Sequence, residues 1–348
     1  MPHTFDLLVI GDANPDVIIG PLDAPLAFGQ REQLVPTGTL TVGGSGAIVA
    51  CGAARLGLRV AFAGRVGDDD AGRYLRDRLG AHGVDTGALR LDPDRPTPLT
   101  VALTRGDDRA ILTAPGTLAA TTADDVPTAL LGAVRHVHSA SYFLLPRLAP
   151  ALPDLLRTAR RHGATTSLDT NDDPAGRWAA AGLRAVLAHT DYLLPNTAEA
   201  RRLARLYTED AEHTGHTGHT GHTEDAGDRQ EGTVSAGPPD PAADAELLAR
   251  RGPVTAVKNG AEGALCHDGE RLLTTRGIRV DTVDAVGAGD SFDAGFIAAL
   301  LDGARLSRAL RFAAVCGALS TRAPGGTTAQ PTRDEVLARL PETEGSPV

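Results

Sequence analysis

The chain has 348 residues, enough for one large α/β domain or two smaller ones, and 42% of them are hydrophobic, enough to bury a sizeable core. A formal net charge of −10 argues against nucleic acid as a partner, since phosphate backbones call for a basic face. No run reaches the roughly 18 apolar residues of a membrane span.

The N-terminus enters directly into Phe5-Asp-Leu-Leu-Val-Ile10, suited to a buried strand and too short for a signal-peptide core, so a soluble, cytoplasmic protein is expected. Cys51, Cys266 and Cys316 stand far apart in no metal-binding spacing and read as buried thiols of a reducing compartment. Strand-like runs at Leu7–Gly11, Val60–Gly64, Arg135–Ala140, Thr165–Asp169, Tyr192–Pro195 and Val254–Lys258 alternate with helical periodicity. The expected helices are Gly46–Leu56, Ala71–His82, Arg147–His162, Arg177–Ala188, Ala198–Tyr207 and Ala242–Arg251. This alternation predicts a mainly parallel sheet covered on both faces, with ligands beyond the carboxyl ends of its strands.

Two segments break the rhythm. Residues 15–42 are punctuated by Pro and Gly without helical period, and residues 97–113 read as a hairpin turning at Gly106-Asp107-Asp108. Together they suit a small sheet over a pocket. A third segment, about 208–242, carries His213, His216, His219 and His222 at three-residue spacing, then acidic, Gly- and Pro-rich sequence. It reads as a disordered surface loop of slipped repeats; metal binding is the weaker alternative, because no flanking apolar residues would order the ligands. One domain over residues 1–340, with a tail at 341–348, is expected.

The chemistry concentrates at Asp284–Ile297. Gly287, Ala288 and Gly289 allow backbone amides to converge at the start of a helix whose apolar positions are Phe292, Phe296, Ile297, Leu300 and Leu301. Asp290 beside them would repel a resting phosphate, but suits a base that deprotonates a hydroxyl while the amides stabilise charge on a phosphoryl group. The plainer alternative is a Gly-rich turn capped by Asp. Asn14 and Asp16 end the first strand region, where they could bind vicinal hydroxyls or merely form an Asn-Pro turn. Gly43 and Gly44 open the next helix and permit close approach to backbone. Asn196 and Glu199 fall on one helical face, as a Mg²⁺ site or as a simple cap. Lys258, Gly260 and Gly263 form a weak nucleotide-loop pattern, and Asn171 lies at another strand end.

In this order the strings resemble the signatures of the ribokinase (PfkB) family of sugar and nucleoside kinases, over roughly residues 5–335. Gly43-Gly44-Ser45-Gly46-Ala47-Ile48 is similar to its Gly-Gly-x-x-x-Asn signature, and Asp284–Asp290 to Asp-Thr-x-Gly-Ala-Gly-Asp. The departures are Ala285 for Thr, Ile48 for Asn, which removes a polar contact to substrate, and Ala314 for Asn, which makes adenine contacts apolar. The resemblance implies a ribokinase-like three-layer α/β/α sandwich with a small β-lid, transferring the γ-phosphoryl of ATP to a sugar hydroxyl. In that scheme Asp290 is the general base and Gly287, Ala288 and Gly289 the anion hole. Asn14, Asp16, Gly43 and Gly44 hold substrate, and Lys258, Gly260, Gly263 and Asn171 the nucleotide. Asn196 and Glu199 organise hydrated Mg²⁺, while Asp284, Val286, Ser320, Ala323 and Gly325 surround a monovalent cation such as K⁺. An unphosphorylated sugar is expected over a nucleoside, because the lid offers one aromatic, Phe28. It is expected over a sugar phosphate, because Gly43–Ile48 carries no base and Arg105 and Arg109, flanking the hairpin turn, are expected to face solvent. A non-catalytic sensor on the same fold is the rival of another class, and a homodimer through the lid is a further expectation.

Overall fold

The computed structural model describes residues 3–106, 108–178, 180–214 and 240–340. Among them the sheet-forming segments are β1 (Phe5–Ile10), β2 (Asn14–Gly20), β3 (Thr37–Gly43), β4 (Val60–Gly67), β5 (Val84–Asp92), β6 (Leu99–Arg105) and β7 (Asp108–Ala114). Then follow β8 (Val134–Ser139), β9 (Thr165–Leu168), β10 (Tyr192–Leu193), β11 (Val254–Lys258), β12 (Gly263–His267) and β13 (Leu272–Arg276). The helices are α1 (Ser45–Arg55), α2 (Asp70–Ala81), α3 (Thr128–Leu131), α4 (Leu152–Arg161), α5 (Ala180–Leu187), α6 (Thr197–Thr214), α7 (Pro241–Ala249), α8 (Ala288–Leu301), α9 (Leu306–Ser320) and α10 (Arg333–Leu337).

The large sheet has the order β13-β12-β11-β10-β9-β8-β1-β4-β5. Its pairs are parallel from β11 to β5, and β12 and β13 add an antiparallel edge. In β1, Leu7 and Val9 enter one core while Leu8 and Ile10 enter the other. A strand covered on both faces must be apolar almost throughout, which is why Phe5–Ile10 does not alternate. Helices α1, α8 and α9 pack on the first face, and α4, α5, α6 and α7 on the second. The three cysteines are free and buried, as read.

Strand β1 lies between β4 and β8, so the chain leaves it towards opposite sides, which opens a crevice at the carboxyl ends. Over that crevice sits a second sheet, β3-β2-β6-β7, built from the two segments expected to form a lid. Pairs β2–β3 and β6–β7 are antiparallel, and β2–β6 is parallel. Several boundaries move. The helix expected from Arg147 starts at Leu152, with Pro153 in its first turn, where a missing amide proton costs nothing. The helix expected to end at Tyr207 runs through His213 to Thr214. His216, His219 and His222, and the tail at 341–348, lie outside the described residues. No helix among the described residues is long and apolar enough to cross a membrane.

Candidate active site

The residues singled out by pattern converge on the carboxyl edge of the large sheet. Gly287 caps α8 in the left-handed region at φ 71°, and a Cβ there would lie 2.6 Å from Gly326 Cα and 3.1 Å from Ile48 Cγ2. Only glycine fits both the dihedral and the space. Ile48 is therefore wedged against the Gly287 and Gly326 backbones, which is where its departure from an Asn takes effect. Gln330 Nε2 fixes the wedge by donating to Ile48 O (2.9 Å) and Ser291 Oγ (3.2 Å).

Asp290 stands in the first turn of α8 and accepts a hydrogen bond from Ser45 Oγ. Asn171, left-handed at φ 52°, donates through Nδ2 to Ser45 Oγ (3.0 Å), and its Oδ1 accepts from Ser141 N (2.8 Å). Asn171 is thus linked through Ser45 to Asp290. Ser45 opens α1, whose cap residue Gly44 has no side chain to satisfy the first amides. Asp12 supplies that cap across the crevice, accepting from Ser45 N (3.2 Å) and Gly46 N (2.9 Å). Sequence reasoning passed over Asp12; the available signal was a carboxylate immediately after an apolar strand. Burial pushes Asp290 up to about 7, against the Ser45 hydrogen bond and the Lys258 charge, which pull down.

At the lid end, Asn14 Nδ2 donates to Asp16 Oδ1 (2.7 Å) and Thr100 Oγ1 (3.1 Å). A Cβ on Gly43 would fall 2.0 Å from Asp16 Oδ1, so glycine at 43 makes room for the carboxylate. Gly44, at φ 86°, passes within 2.8 Å of Ala13 Cα measured from its would-be Cβ. Burial pushes Asp16 up to about 7, with Asn14 opposing. Arg109 is exposed, as Arg105 is, and its Nη1 also comes to 3.8 Å from Asp284 Oδ1. The reason is the length of an arginine on β7, which spans from the lid to the loop before α8.

On the other side of the turn lies a cavity of about 1190 Å³ lined by Lys258, Gly260, Gly263, Ala288 and Gly289, with Phe292 and Ala314 among its apolar walls. Gly260 (φ 55°) borders open space, whereas a Cβ on Gly263 would strike Thr275 O at 2.2 Å, so that glycine serves the pairing of β12 and β13. Lys258 was expected to reach a phosphate. Its Nζ is instead held by Asp169 Oδ2 at 2.6 Å and Asp293 Oδ2 at 3.2 Å. Asp293, unnoticed in the sequence, is fully buried among apolar neighbours of α8, and that misplaced polarity was its signal. Burial raises Asp293 well above the carboxylate range; for Asp169 burial acts the same way, but Lys258 and the hydrogen bonds from Asp293 and Asn171 together outweigh it and the net shift is downward.

Asp169, Asp290 and Asp293 bring carboxylate oxygens within 4.8 Å of one another, an acid cluster consistent with a Mg²⁺-dependent kinase, although the Lys258 ammonium already bonds two of the three. Asn196 and Glu199 also meet: Asn196 Nδ2 donates to Glu199 Oε1 (2.6 Å), Asn196 N to Oε2 (2.9 Å), and Glu199 N to Asn196 Oδ1 (2.9 Å). This reciprocal cap leaves carboxylate lone pairs for metal-bound water, and burial, then Asp169, push Glu199 up to about 7. Asp284 gathers its loop by accepting from Val286 N and Gly325 N, each at 2.9 Å. Ser320 Oγ donates to Gly317 O within α9 and does not join them through its side chain (2.8 Å). No hydrogen bond of Ala323 connects it to Asp284.

The profile of the pfkB family carbohydrate kinases matches residues 4–225 and 235–333. The chain belongs to this family. An ATP-dependent ribose-1-phosphate kinase of Halopiger xanaduensis is 32% identical over 337 residues, covering 97% of this chain and 98% of that one. A 2-dehydro-3-deoxygluconokinase of Bacillus subtilis is 28% identical over 324 residues, 88% of each chain. The crystal structure of a PfkB protein from Polaromonas sp. JS666 superposes with a TM-score of 0.73 at 26% identity, covering 96% of this chain and all of that one (100%). The fold is accordingly ribokinase-like, an α/β sandwich with a β-lid, and the activity is that of the family: ATP-dependent transfer of a phosphoryl group to a sugar or nucleoside.

Proposed function

We propose that this PfkB-family kinase transfers the γ-phosphoryl group of ATP to a hydroxyl of an unphosphorylated sugar, with Asp290 as general base. The observation that carries this reading is a half-buried carboxylate in the first turn of α8 beside the Gly287 turn, hydrogen-bonded by Ser45 and pushed up to about 7 by its surroundings. A base with a pKa close to working pH balances ionisation against proton affinity. The acceptor lies between Asp16 and Asp290. As its oxygen bonds to the phosphorus and the bond to ADP breaks, the hydroxyl proton passes to Asp290, and the amides of Gly287, Ala288 and Gly289 face the charge on the phosphoryl oxygens. Asn196 and Glu199 would hold hydrated Mg²⁺, which supplies charge neutralisation for the phosphates. Asp290→Asn should lower kcat at least ~10²-fold with little change in ATP affinity; turnover close to wild type would end the assignment.

A second reading takes a sugar phosphate as acceptor. It is supported by Arg109, whose guanidinium hangs between lid and turn near Asp16 and Asp284, and by the ribose-1-phosphate kinase among the relatives. The neutral sugar is favoured because Arg109 is already turned to Asp284 and the acceptor end is otherwise acidic. ADP release with ribose, fructose, adenosine, ribose 1-phosphate and 2-dehydro-3-deoxygluconate decides between them. Preference for an anionic acceptor, with a KM raised at least ~10-fold in Arg109→Ala, would transfer the assignment to the second reading. The lid also suits a second copy of the chain, because every residue of β7 is exposed, Ile111 and Leu112 included, and Leu40 lies open on β3.

A further inference from the structure

Two carboxylates, Asp169 and Asp293, are almost wholly buried with one ammonium between them. Such an assembly is poor value for stability, since well-packed apolar side chains of similar size usually serve a core at least as well. The neighbours of Asp293 on α8 are already apolar: Phe292, Ala294, Phe296 and Ile297 are buried. The placement of the ammonium suggests what the arrangement is for. A Cβ on Gly289 would lie 3.5 Å from Lys258 Nζ, so the lysine is packed directly against the backbone of the Gly287–Gly289 turn. Its side chain is only 11% exposed, and its flexible stem is fixed by bonds from two directions.

We infer that Lys258 is an electrostatic component of the anion hole, acting from beside Gly289 on the cavity wall, and that Asp293 is the positioning residue that clamps its ammonium there. This rests on the reading of Gly287–Gly289 as the anion hole. The positive end of the buried Lys258–Asp169 pair, set against the turn, strengthens the attraction of its amides for a phosphoryl group as that group's charge redistributes, in surroundings where solvent screens little. Asp169 and Asp293 together hold the ammonium at the cavity wall, where it cannot extend to pair with a resting phosphate of ATP. The lysine then favours the transition state over the bound nucleotide, which is what raises a rate. A lysine that simply bound ATP would be free to extend into the cavity.

The test compares the affinity of ADP with that of ADP plus aluminium fluoride, a mimic of the phosphoryl group in transfer, by calorimetry in saturating Mg²⁺. Lys258→Met should reduce the advantage of the mimic over ADP by ~10-fold or more, while ADP itself changes little. This is less than the ~10²–10³ of a donor in direct contact, because the ammonium is held by carboxylates beside the turn. Asp293→Asn, which keeps an oxygen facing the ammonium, should retain the advantage, and Asp293→Leu should lose part of it. Lys258→Met strands two buried carboxylates, so the double variant Lys258→Met/Asp293→Leu, relieved of one of them, is measured beside it and should show the same loss. A purely structural cluster would lower the melting temperature of these variants and leave the ratio of affinities unchanged. Equal losses for ADP and the mimic, or a full advantage in Asp293→Leu, would overturn the inference. If wild-type protein itself binds the mimic no better than ADP, the anion-hole reading falls and this inference with it. Failure of Asp290 as base would appear only as turnover in Asp290→Asn, leaving the affinity ratios intact.

Discussion

Ser45→Ala removes the hydroxyl that donates to Asp290. Burial is the main influence on that carboxyl and sets it at about 7; the Ser45 hydrogen bond is the largest influence opposing it. A hydrogen bond to a charged group contributes about 1.5–3 kcal/mol, and one pKa unit corresponds to about 1.4 kcal/mol. Losing the bond should therefore raise the carboxyl by at least ~1 unit, towards ~8. The protonated acid cannot accept the acceptor's proton. At neutral pH the ionised fraction would fall from about a half to about a tenth, so kcat drops ~5-fold. Raising the pH should restore most of it, because the base is intact and only its titration has moved. The assay is kcat against pH, from about 6 to about 9.5, with coupled detection of ADP. Wild type should show an acid limb near 7 and Ser45→Ala a limb displaced to higher pH. Asn171→Ala, which removes the donor behind Ser45, should displace it in the same direction by less. A uniform loss at every pH, with the limb unmoved, would refute the chain from Asn171 through Ser45 to Asp290 as the device that tunes the base.

Gly43→Ala places a methyl group where the Asp16 carboxylate now sits, 2.0 Å from Oδ1. Asp16 must turn away, and the KM for the acceptor should rise ~10-fold or more with the KM for ATP unchanged, as expected for loss of a charge-assisted contact. Steady-state kinetics in both substrates checks this, and an unchanged acceptor KM would remove Asp16 from the binding site. Replacing Na⁺ by K⁺ at constant ionic strength should raise kcat if a monovalent cation braces the Gly287 turn, whose leading loop Asp284 ties together by accepting from Val286 N and Gly325 N. Identical kinetics in the two salts would eliminate a cation site there.

Much of the scaffold was readable because its signals are local. The unbroken apolar run Phe5–Ile10 describes a strand with two covered faces whatever surrounds it, and the alternation of such runs with helical periodicity specifies a parallel sheet with crossovers. Gly287 could be singled out because a left-handed residue at a helix start calls for glycine, and Asp290 because a carboxylate among amides that favour anions needs a reason to be there. Lid segments were visible as interruptions of the period, although not the parallel pairing of β2 with β6, which joins segments separated by the whole of α1, β4, α2 and β5.

The side-chain partnerships were decided elsewhere. Ser45 and Asp290 are 245 positions apart and meet only because α1 and α8 both begin at the same edge of the sheet. Asp12 caps α1 because Gly44 cannot, a compensation that appears only when strand end and helix start are brought together. Lys258 looked like a phosphate ligand by its place at a strand end, but two carboxylates, one just after β9 and one on α8, hold it beside Gly289. Arg109 is the exposed hairpin residue its place suggested, and only the folded lid brings its guanidinium near Asp284. Backbone periodicity records which face of a segment is buried, and so the sequence alone determined the layers and the position of the site. Where a buried charge points depends on which opposite charges the fold places within a few ångströms, because in a low-dielectric interior those neighbours outweigh any preference of the residue itself.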